Sequence, residues 1–322
     1  MHFAKRRLNG VFCTKNAEKR TLKNALFCPK RGVWDKFSRE LDKCGRARSE
    51  YSTFWRREID LHKAVICRHA LPAPEALKGL KLAFISDIHI AGYYKPDEAR
   101  VLIGQIASLG TDMILWGGDF AETLEYQRAF FPLLASLKPH LGSFAVMGNN
   151  DRECFGNSFP LMRSLARKNG VRLLINEQAA VPYGGGRILI GGLDEWKYGQ
   201  PNAKGMFRGA GENDLRVLLS HYPHVADKAV VQAALPPHIY LSGHTHGGQL
   251  ALGSFSCYNL GYGYQYARSS RHFFVSGWRE FDEPLPGGRT MRMRMLVSNG
   301  IGESLFPLRL NAPRQVHLIE LV

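Results

Sequence analysis

Apolar positions along this chain recur with two periods, and the switches between them divide it before any chemistry is considered. From about Glu58, residues Ile59, Leu61, Lys63, Val65 and Cys67 alternate with polar or basic neighbours, which predicts a half-exposed strand ended by Pro72 and Pro74. Residues 81–86 form a compact apolar run and predict a buried strand. Pro96 and Asp97 open a helix over 97–109, with Leu102, Ile106 and Leu109 on one face. A strand at 112–116, a helix near 123–137, a strand at 143–147, a helix near 158–168 and a strand at 171–175 continue the rhythm. That alternation lays helices over sheets and predicts an α/β fold. The second half is richer in strands, at 187–191, 215–219, 239–242, 291–298 and 315–321, with a helix near 225–234. Gly184, Gly185 and Gly186 precede a strand and read as a hairpin turn, because a phosphate-binding loop should open a helix. Residues 258–286, charged and aromatic, read as an insertion, either a substrate lid or an ordinary packed loop.

The length of 322 residues and a hydrophobic content of 45% suit a globular chain that buries a core and exclude disorder of the whole. The net charge of +15 is uneven: residues 1–50 hold fourteen Lys and Arg against five acids, a net of +9. The chain therefore reads as a basic extension over 1–54 and a catalytic domain over 55–322. Six dispersed cysteines without a C-x-x-C pair read as reduced thiols of a cytosolic compartment. No window of about 18 apolar residues and no apolar signal region occurs, so a cytoplasmic protein is expected. Trp34, Phe37, Leu41 and Cys44 fall at helical spacing with Lys36, Arg39 and Lys43 on other faces. Such a helix can rest on an anionic membrane, each basic residue contributing about 1 kcal/mol. A solvated tail is the alternative.

Five blocks carry the candidate chemistry: Asp87-Ile88-His89, Gly118-Asp119, Gly148-Asn149-Asn150-Asp151, Ser220-His221 and Gly243-His244-Thr245-His246. Each follows a predicted strand, where α/β sheets place ligand sites. In the D-x-H and H-x-H blocks an extended backbone would point both side chains to one side. Asp119 suits a carboxylate that bridges two ions, and the glycines before it allow a tight turn. Two ions about 3.5–4 Å apart can deprotonate a shared water and clamp phosphoryl oxygens. No G-x-S-x-G or comparable nucleophile motif competes with that reading. The cationic residues sit in the leader and no nucleic-acid fold signature occurs, so nucleic acid is not the expected partner.

In this order the blocks resemble the calcineurin-like metallophosphoesterase family, whose pattern is D-x-H, G-D, G-N-H-[DE], H and G-H-x-H. The resemblance covers roughly residues 58–322. Its ending, Val297 to Gly302 followed by Leu308-Arg309, is similar to the bacterial branch of YkuE-like phosphoesterases and UDP-2,3-diacylglucosamine pyrophosphatases. It implies a four-layer α-β-β-α sandwich of two mixed sheets and a hydrolase of phosphodiester or pyrophosphate bonds. Asp87, His89, Asp119 and His246 would hold one divalent metal, and Asp119, Asn149, His221 and His244 the other. Mn is the first choice, with Fe, Zn, Co or Ni as alternatives. A nucleotide-linked lipid such as a UDP-diacylglucosamine is the preferred substrate; a nucleotide phosphodiesterase or nuclease and a non-catalytic scaffold are the competing functions.

Asn150 departs from the family, which usually has there a histidine that contacts the phosphate and protonates the leaving group. An amide cannot act as a general acid near neutral pH, so the departure points to leaving groups stable as anions. Asp151 is expected to fix a turn rather than to bind metal. His224 reads as a helix-start residue with a replacement acid as the alternative, and Asp194 and Glu195 as a solvated loop.

Overall fold

The computed structural model describes residues 63–322 apart from 91–92, 157, 253–254, 257, 259–268 and 305–307. The basic leader, its helical spacing at 34–44, the start of the first predicted strand, and Tyr262, Tyr264, Tyr266 and Arg268 lie outside the described residues. In the first half the elements are β1 (Val65–Leu71), β2 (Lys81–Ile85), α1 (Pro96–Ala107), β3 (Met113–Trp116), α2 (Leu124–Leu134), β4 (Ser143–Ala145), α3 (Asn149–Phe155), α4 (Phe159–Lys168) and β5 (Val171–Leu173). In the second they are β6 (Glu177–Tyr183), β7 (Gly186–Gly192), β8 (Asp214–Leu219), α5 (Ala226–Gln232), β9 (Ile239–Ser242), the short pair β10 (Ala251–Leu252) and β11 (Phe255–Ser256), β12 (Gly277–Pro284), β13 (Thr290–Val297) and β14 (Gln315–Leu321). Among the described residues no helix is long and apolar enough to cross a membrane.

Two six-stranded sheets result, ordered β1-β14-β2-β3-β4-β5 and β12-β13-β9-β8-β7-β6. In the first, β2 to β5 run parallel and β14 lies antiparallel to β2. In the second, β13, β9, β8 and β7 run parallel, with β12 and β6 antiparallel at the edges. Residue parity then sorts the side chains. Leu82 and Phe84 of β2, Met113 and Leu115 of β3, Ile188 and Ile190 of β7, and Val217 and Leu219 of β8 form the core between the sheets. Their neighbours Ala83, Ile85, Ile114 and Trp116 turn outward to meet Leu102, Ile106, Phe130 and Met162 of α1, α2 and α4. On the far side Leu189, Leu218, Tyr240, Met293 and Met295 meet Ala226, Ala229 and Val230 of α5. Helix, sheet, sheet, helix is the expected four-layer order, and burial on both faces explains why the strands read as apolar runs.

Gly184 and Gly185, with φ of 57° and 88°, make the β6–β7 hairpin turn that the glycine run predicts. Thr123 proves to be the cap of α2, its side chain accepting from the Tyr126 N–H at 3.4 Å. The insertion reading of 258–286 needs correction. Residues Gly277–Pro284 are edge strand β12, and Phe273 and Phe274 just before it are buried. Glu280 and Asp282 point outward into cross-strand pairs, Glu280 with Arg292 at 3.2 Å and with Arg294 at 3.0 Å, and Asp282 with Arg292 at 3.3 Å, while Glu283 is buried against His272 at 2.7 Å. Charges on an edge strand keep it from pairing with other chains, and they hid it from an apolar pattern.

One buried polar string ties the edge of the second sheet to the first. Trp278 of β12 donates its Nε1–H to His69 Nδ1 at 3.1 Å. His69 Nε2 lies 3.1 Å from His317 Nδ1, and His317 Nε2 lies 3.0 Å from Ser298 Oγ. Since His69 Nδ1 accepts, the network assigns one direction: His69 Nε2–H donates to His317, and His317 Nε2–H to Ser298. Both rings must therefore be neutral. Burial, reinforced by the neighbouring His69 ring, which would repel a second proton, pushes the His317 pKa down to about 3.

The unfolded chain binds this proton near pH 6.5 and the folded chain only near pH 3, so acid favours unfolding throughout that window. Stability should fall as pH is lowered from 7 to 5, with His317 accounting for about 2 kcal/mol. Urea unfolding at the two pH values checks it; His317→Phe should give a shallower pH slope than the wild-type chain.

Candidate metal centre

The parallel strands β2, β3, β4, β8 and β9 all end on one edge of the sandwich, and the five blocks are the loops that leave them. Close approach of those loops requires glycine. A Cβ on Gly118, whose φ is 90°, would collide with the backbone N of Gly148, and one on Gly148 would collide with Asp119 Oδ1. The expectation of extended backbone at the paired ligands is corrected here. Asp87, His89, Asp119, His244 and His246 have φ between 50° and 70°. Left-handed turns, not pleat alternation, aim these side chains inward, a conformation that Asp and His tolerate better than most residues but that still stores strain.

Hydrogen bonds hold the turns. The Asp119 carbonyl accepts from Ile88 N–H at 2.8 Å and His89 N–H at 3.1 Å, and the Asp87 carboxylate accepts from His244 N–H at 3.0 Å. The buried Asp151 carboxylate gathers the N–H groups of Asp119 (2.7 Å), Phe120 (2.9 Å) and Gly148 (2.9 Å) and an N–H of Gln127. It clamps the β3 and β4 loops together, the turn-fixing role expected of it.

The side chains so held form two overlapping groups suited to metal ions, Asp87 with His89 and His246, and Asp87 with Asp119 and His221, all buried. Asp119 Oδ2 lies 3.5 Å from His89 Nε2 and 3.3 Å from His221 Nε2, between the groups. Asp87 Oδ1 lies 3.6 Å from His246 Nε2 and 3.9 Å from His221 Nε2, so Asp87 reaches both sides as well. His244 Nδ1 is 3.2 Å from His221 Nε2. Asn149 joins through Tyr222, whose hydroxyl donates to its Oδ1 at 3.2 Å while its ring packs at a tilt of 41° with its centre 3.8 Å from that of His244.

The second nitrogens of the rings decide what these groups suit. His221 Nδ1 is 2.9 Å from the Gly117 carbonyl, His246 Nδ1 is 3.1 Å from the Gly302 carbonyl, and His89 Nδ1 is 2.5 Å from Glu122 Oε1. Each of those nitrogens carries a proton, so each Nε2 is the atom that faces the carboxylates and, once deprotonated, turns a lone pair to them. Electron-rich donors facing one another in a buried space need a cation between them. Burial opposes charge on His221, yet Asp119 and then Asp87 override it and push its pKa up to about 10. At His89 burial is likewise overridden, by the Glu122 hydrogen bond and then the Asp119 charge, and its pKa rises to about 9. Burial would raise Asp119 too, but His221 and His89 hold it well below the usual carboxylate range.

The model of the calcineurin-like phosphoesterase family matches residues 80–248, more than half of the chain and the span that holds all five blocks. The chain belongs to the calcineurin-like phosphoesterases. It is 30% identical over 251 residues to the phosphodiesterase YaeI of Escherichia coli, covering 75% of this chain and 82% of that one. To the uncharacterized metallophosphoesterase YkuE of Bacillus subtilis it is 28% identical over 203 residues, 61% of this chain and 69% of that one. A solved dimetal phosphatase of Danio rerio superposes with a TM-score of 0.37 at 10% identity, covering 69% of this chain and 88% of that one. As a calcineurin-like phosphoesterase the chain is a hydrolase of phosphoric esters.

Against that family pattern, Asn150 is spoken for. Its backbone N–H donates to Asp119 Oδ1 at 2.8 Å, its Oδ1 accepts from Asn149 Nδ2 at 2.8 Å, and its Nδ2 donates to Glu122 Oε1 at 3.0 Å. Sequence reasoning missed Glu122 and Tyr222. The available signal for Glu122 was its place three residues after Asp119, and for Tyr222 its place beside His221. His224 sits one ring behind His244: it packs edge-on against Trp196 and Tyr222 at the start of the turn before α5, and burial pushes its pKa down to about 4. Asp194 and Glu195 are buried rather than solvated, and Glu195 accepts from the N–H groups of Lys197 at 2.5 Å and Tyr198 at 2.7 Å.

A carboxylate behind a ligating imidazole fixes its tautomer and basicity, and losing one typically costs about 10–100-fold in metal affinity or activity. Glu122→Ala should weaken Mn²⁺ binding on about that scale, while Glu122→Gln, which still accepts a hydrogen bond, should lose less. Calorimetric titration of the metal-free protein measures both. Unchanged affinity in Glu122→Ala would remove Glu122 from the site.

Proposed function

We propose that this chain is a dimetal phosphodiesterase that hydrolyses a phosphodiester or pyrophosphate bond by direct attack of water. Asp87, His89, Asp119 and His246 would hold one ion in this reading, and Asp119, Asn149, His221 and His244 the other. The observation that carries it is the set of three imidazole Nε2 atoms and two carboxylates turned into one buried space, with Asp119 Oδ2 between the two groups. Imidazole with oxygen donors suits Mn, Fe, Zn, Co or Ni, and Mn is preferred. Two such ions supply an activated water and neutralise charge on the phosphoryl oxygens.

The chain's own residues set the rest. Asp119 presents Oδ2 to both groups while its Oδ1 accepts from the Asn150 N–H, and Asp151 and Glu122 keep Asp119 and His89 in register. Asn150, tied at both ends, offers no proton to a departing oxygen near neutral pH. The bond broken is therefore one whose leaving group is stable as an anion, as in an activated diester or a pyrophosphate. A UDP-2,3-diacylglucosamine-type lipid nucleotide fits that requirement, and a basic leader resting on an anionic membrane would bring the chain to it. This finer substrate draws its support from leaving-group chemistry and from the likeness of the closing segment.

The full chain, stripped by a chelator and reconstituted with Mn²⁺, should hydrolyse bis(p-nitrophenyl) phosphate and a UDP-linked lipid and act weakly on p-nitrophenyl phosphate. Asp119→Ala should reduce all three to background. Efficient turnover of the monoester would refute the account of Asn150, and failure on the lipid alone would discard only the finer substrate.

A further inference from the structure

A cavity of about 580 Å³ opens beside α3, lined by three cationic side chains, Arg152, Lys204 and Lys228, against one carboxylate, Asp194. That carboxylate is already engaged, accepting from the backbone N–H of Glu195 at 2.8 Å and of Gln200 at 3.0 Å. Most of the remaining lining is amide and backbone, which suits a hydrophilic anion and gives an acyl chain little to bury against.

The wall of the cavity is preorganised. Asn176 Oδ1 accepts from the N–H groups of Asp194 at 3.0 Å and Asn202 at 2.8 Å, and its Nδ2 donates to the Gln200 carbonyl at 2.9 Å. Gln232 accepts from the Ala203 N–H at 3.1 Å. Side chains thus fix the backbone over 194–203, so the loop presents its polar groups in a set geometry. Arg152 adds a second observation. Its guanidinium carbon sits 5.0 Å from the Phe159 ring centre, and its Nη1 is buried with no hydrogen-bond partner among the described residues. The side chain as a whole is half-buried, and an anion in the cavity would give that nitrogen a charge-assisted partner.

The cavity shares helix α3 with the candidate metal centre. Arg152 lies one helical turn beyond Asn149 on α3. From the loop, Trp196 packs 5.6 Å from Tyr222, the residue that packs against His244, and the Tyr198 hydroxyl donates to Glu153 of α3 at 3.2 Å. We propose that this cavity is the subsite for a second phosphate-type anion of the substrate, carried on a polar group of nucleotide size beside the scissile bond. The inference rests on the phosphodiesterase reading and narrows it to polyanionic substrates.

The test is calorimetric titration of the full Mn²⁺-loaded chain with adenosine 5′-monophosphate and adenosine 3′,5′-bisphosphate. The bisphosphate should bind about tenfold more tightly, as one charge-assisted contact provides. Arg152→Gln should bring the two affinities together, and Lys228→Gln, at an exposed position that tolerates change, should reduce the preference about threefold. Equal affinities in the wild-type chain, or a preference that survives in both variants, overturn the subsite. Turnover of bis(p-nitrophenyl) phosphate by the same preparation keeps the two ideas separable. A chain that cleaves the diester without discriminating refutes the subsite alone, whereas one that discriminates without cleaving refutes the phosphodiesterase reading beneath it.

Discussion

Two carboxylates and three imidazole Nε2 atoms turned toward one another in a buried space are an unfavourable arrangement for a protein left to itself, and the architecture around them is organised to hold it. Five of the converging residues adopt left-handed backbone, each costing on the order of 1 kcal/mol or more for a side chain with a Cβ. Offsetting that cost falls to groups outside the pattern of ligands. Asp151 gathers three backbone N–H groups from two loops, and the Asp87 carbonyl accepts from Ile301 N–H at 3.0 Å and Gly302 N–H at 2.7 Å. The loop after β13 therefore buttresses the loop after β2. Arg309 locks that buttress by donating to the carbonyls of Asn299 at 2.9 Å and Ala312 at 3.0 Å.

The same convergence explains the need for two sheets. No single sheet delivers five strand ends to one point; here β2, β3 and β4 come from one sheet and β8 and β9 from the other, with the shared core of Phe84, Leu115, Val217 and Leu241 setting their separation. The string from Trp278 through His69 and His317 to Ser298 fastens the sheets at their edge and reaches the loop that supports Asp87. Packing and site geometry are thus coupled through backbone rather than through the ligands themselves.

Much of this was legible in the sequence because burial on both faces makes β2, β3, β8 and β9 apolar runs ended by Gly, Asp or His, and because glycine is obligatory where loops touch. What escaped did so for physical reasons. Strand β12 carries Glu280 and Asp282 outward into cross-strand ion pairs, so its pattern imitates a loop. Helix α3 begins on Asn149, inside the third block, and has no polar cap preceding it to announce it. Left-handed backbone at Asp87 and His244 belongs to the tertiary crowding of the loops, and alternation along a strand cannot express it. Glu122 is an ordinary acidic residue until the fold sets it behind His89.

Glu122 also changes the meaning of Asn150. With asparagine there, the carboxylate meets His89 Nδ1 at 2.5 Å, and the amide follows along a directional string from Tyr222 through Asn149 and Asn150 to Glu122. The carboxylate's charge is spent on a ligating ring rather than on a proton donor. In the proposed reaction, then, the departure from the family pattern removes the acid while Glu122 orients His89, and substrates whose leaving group departs without a proton would be favoured over those that need one.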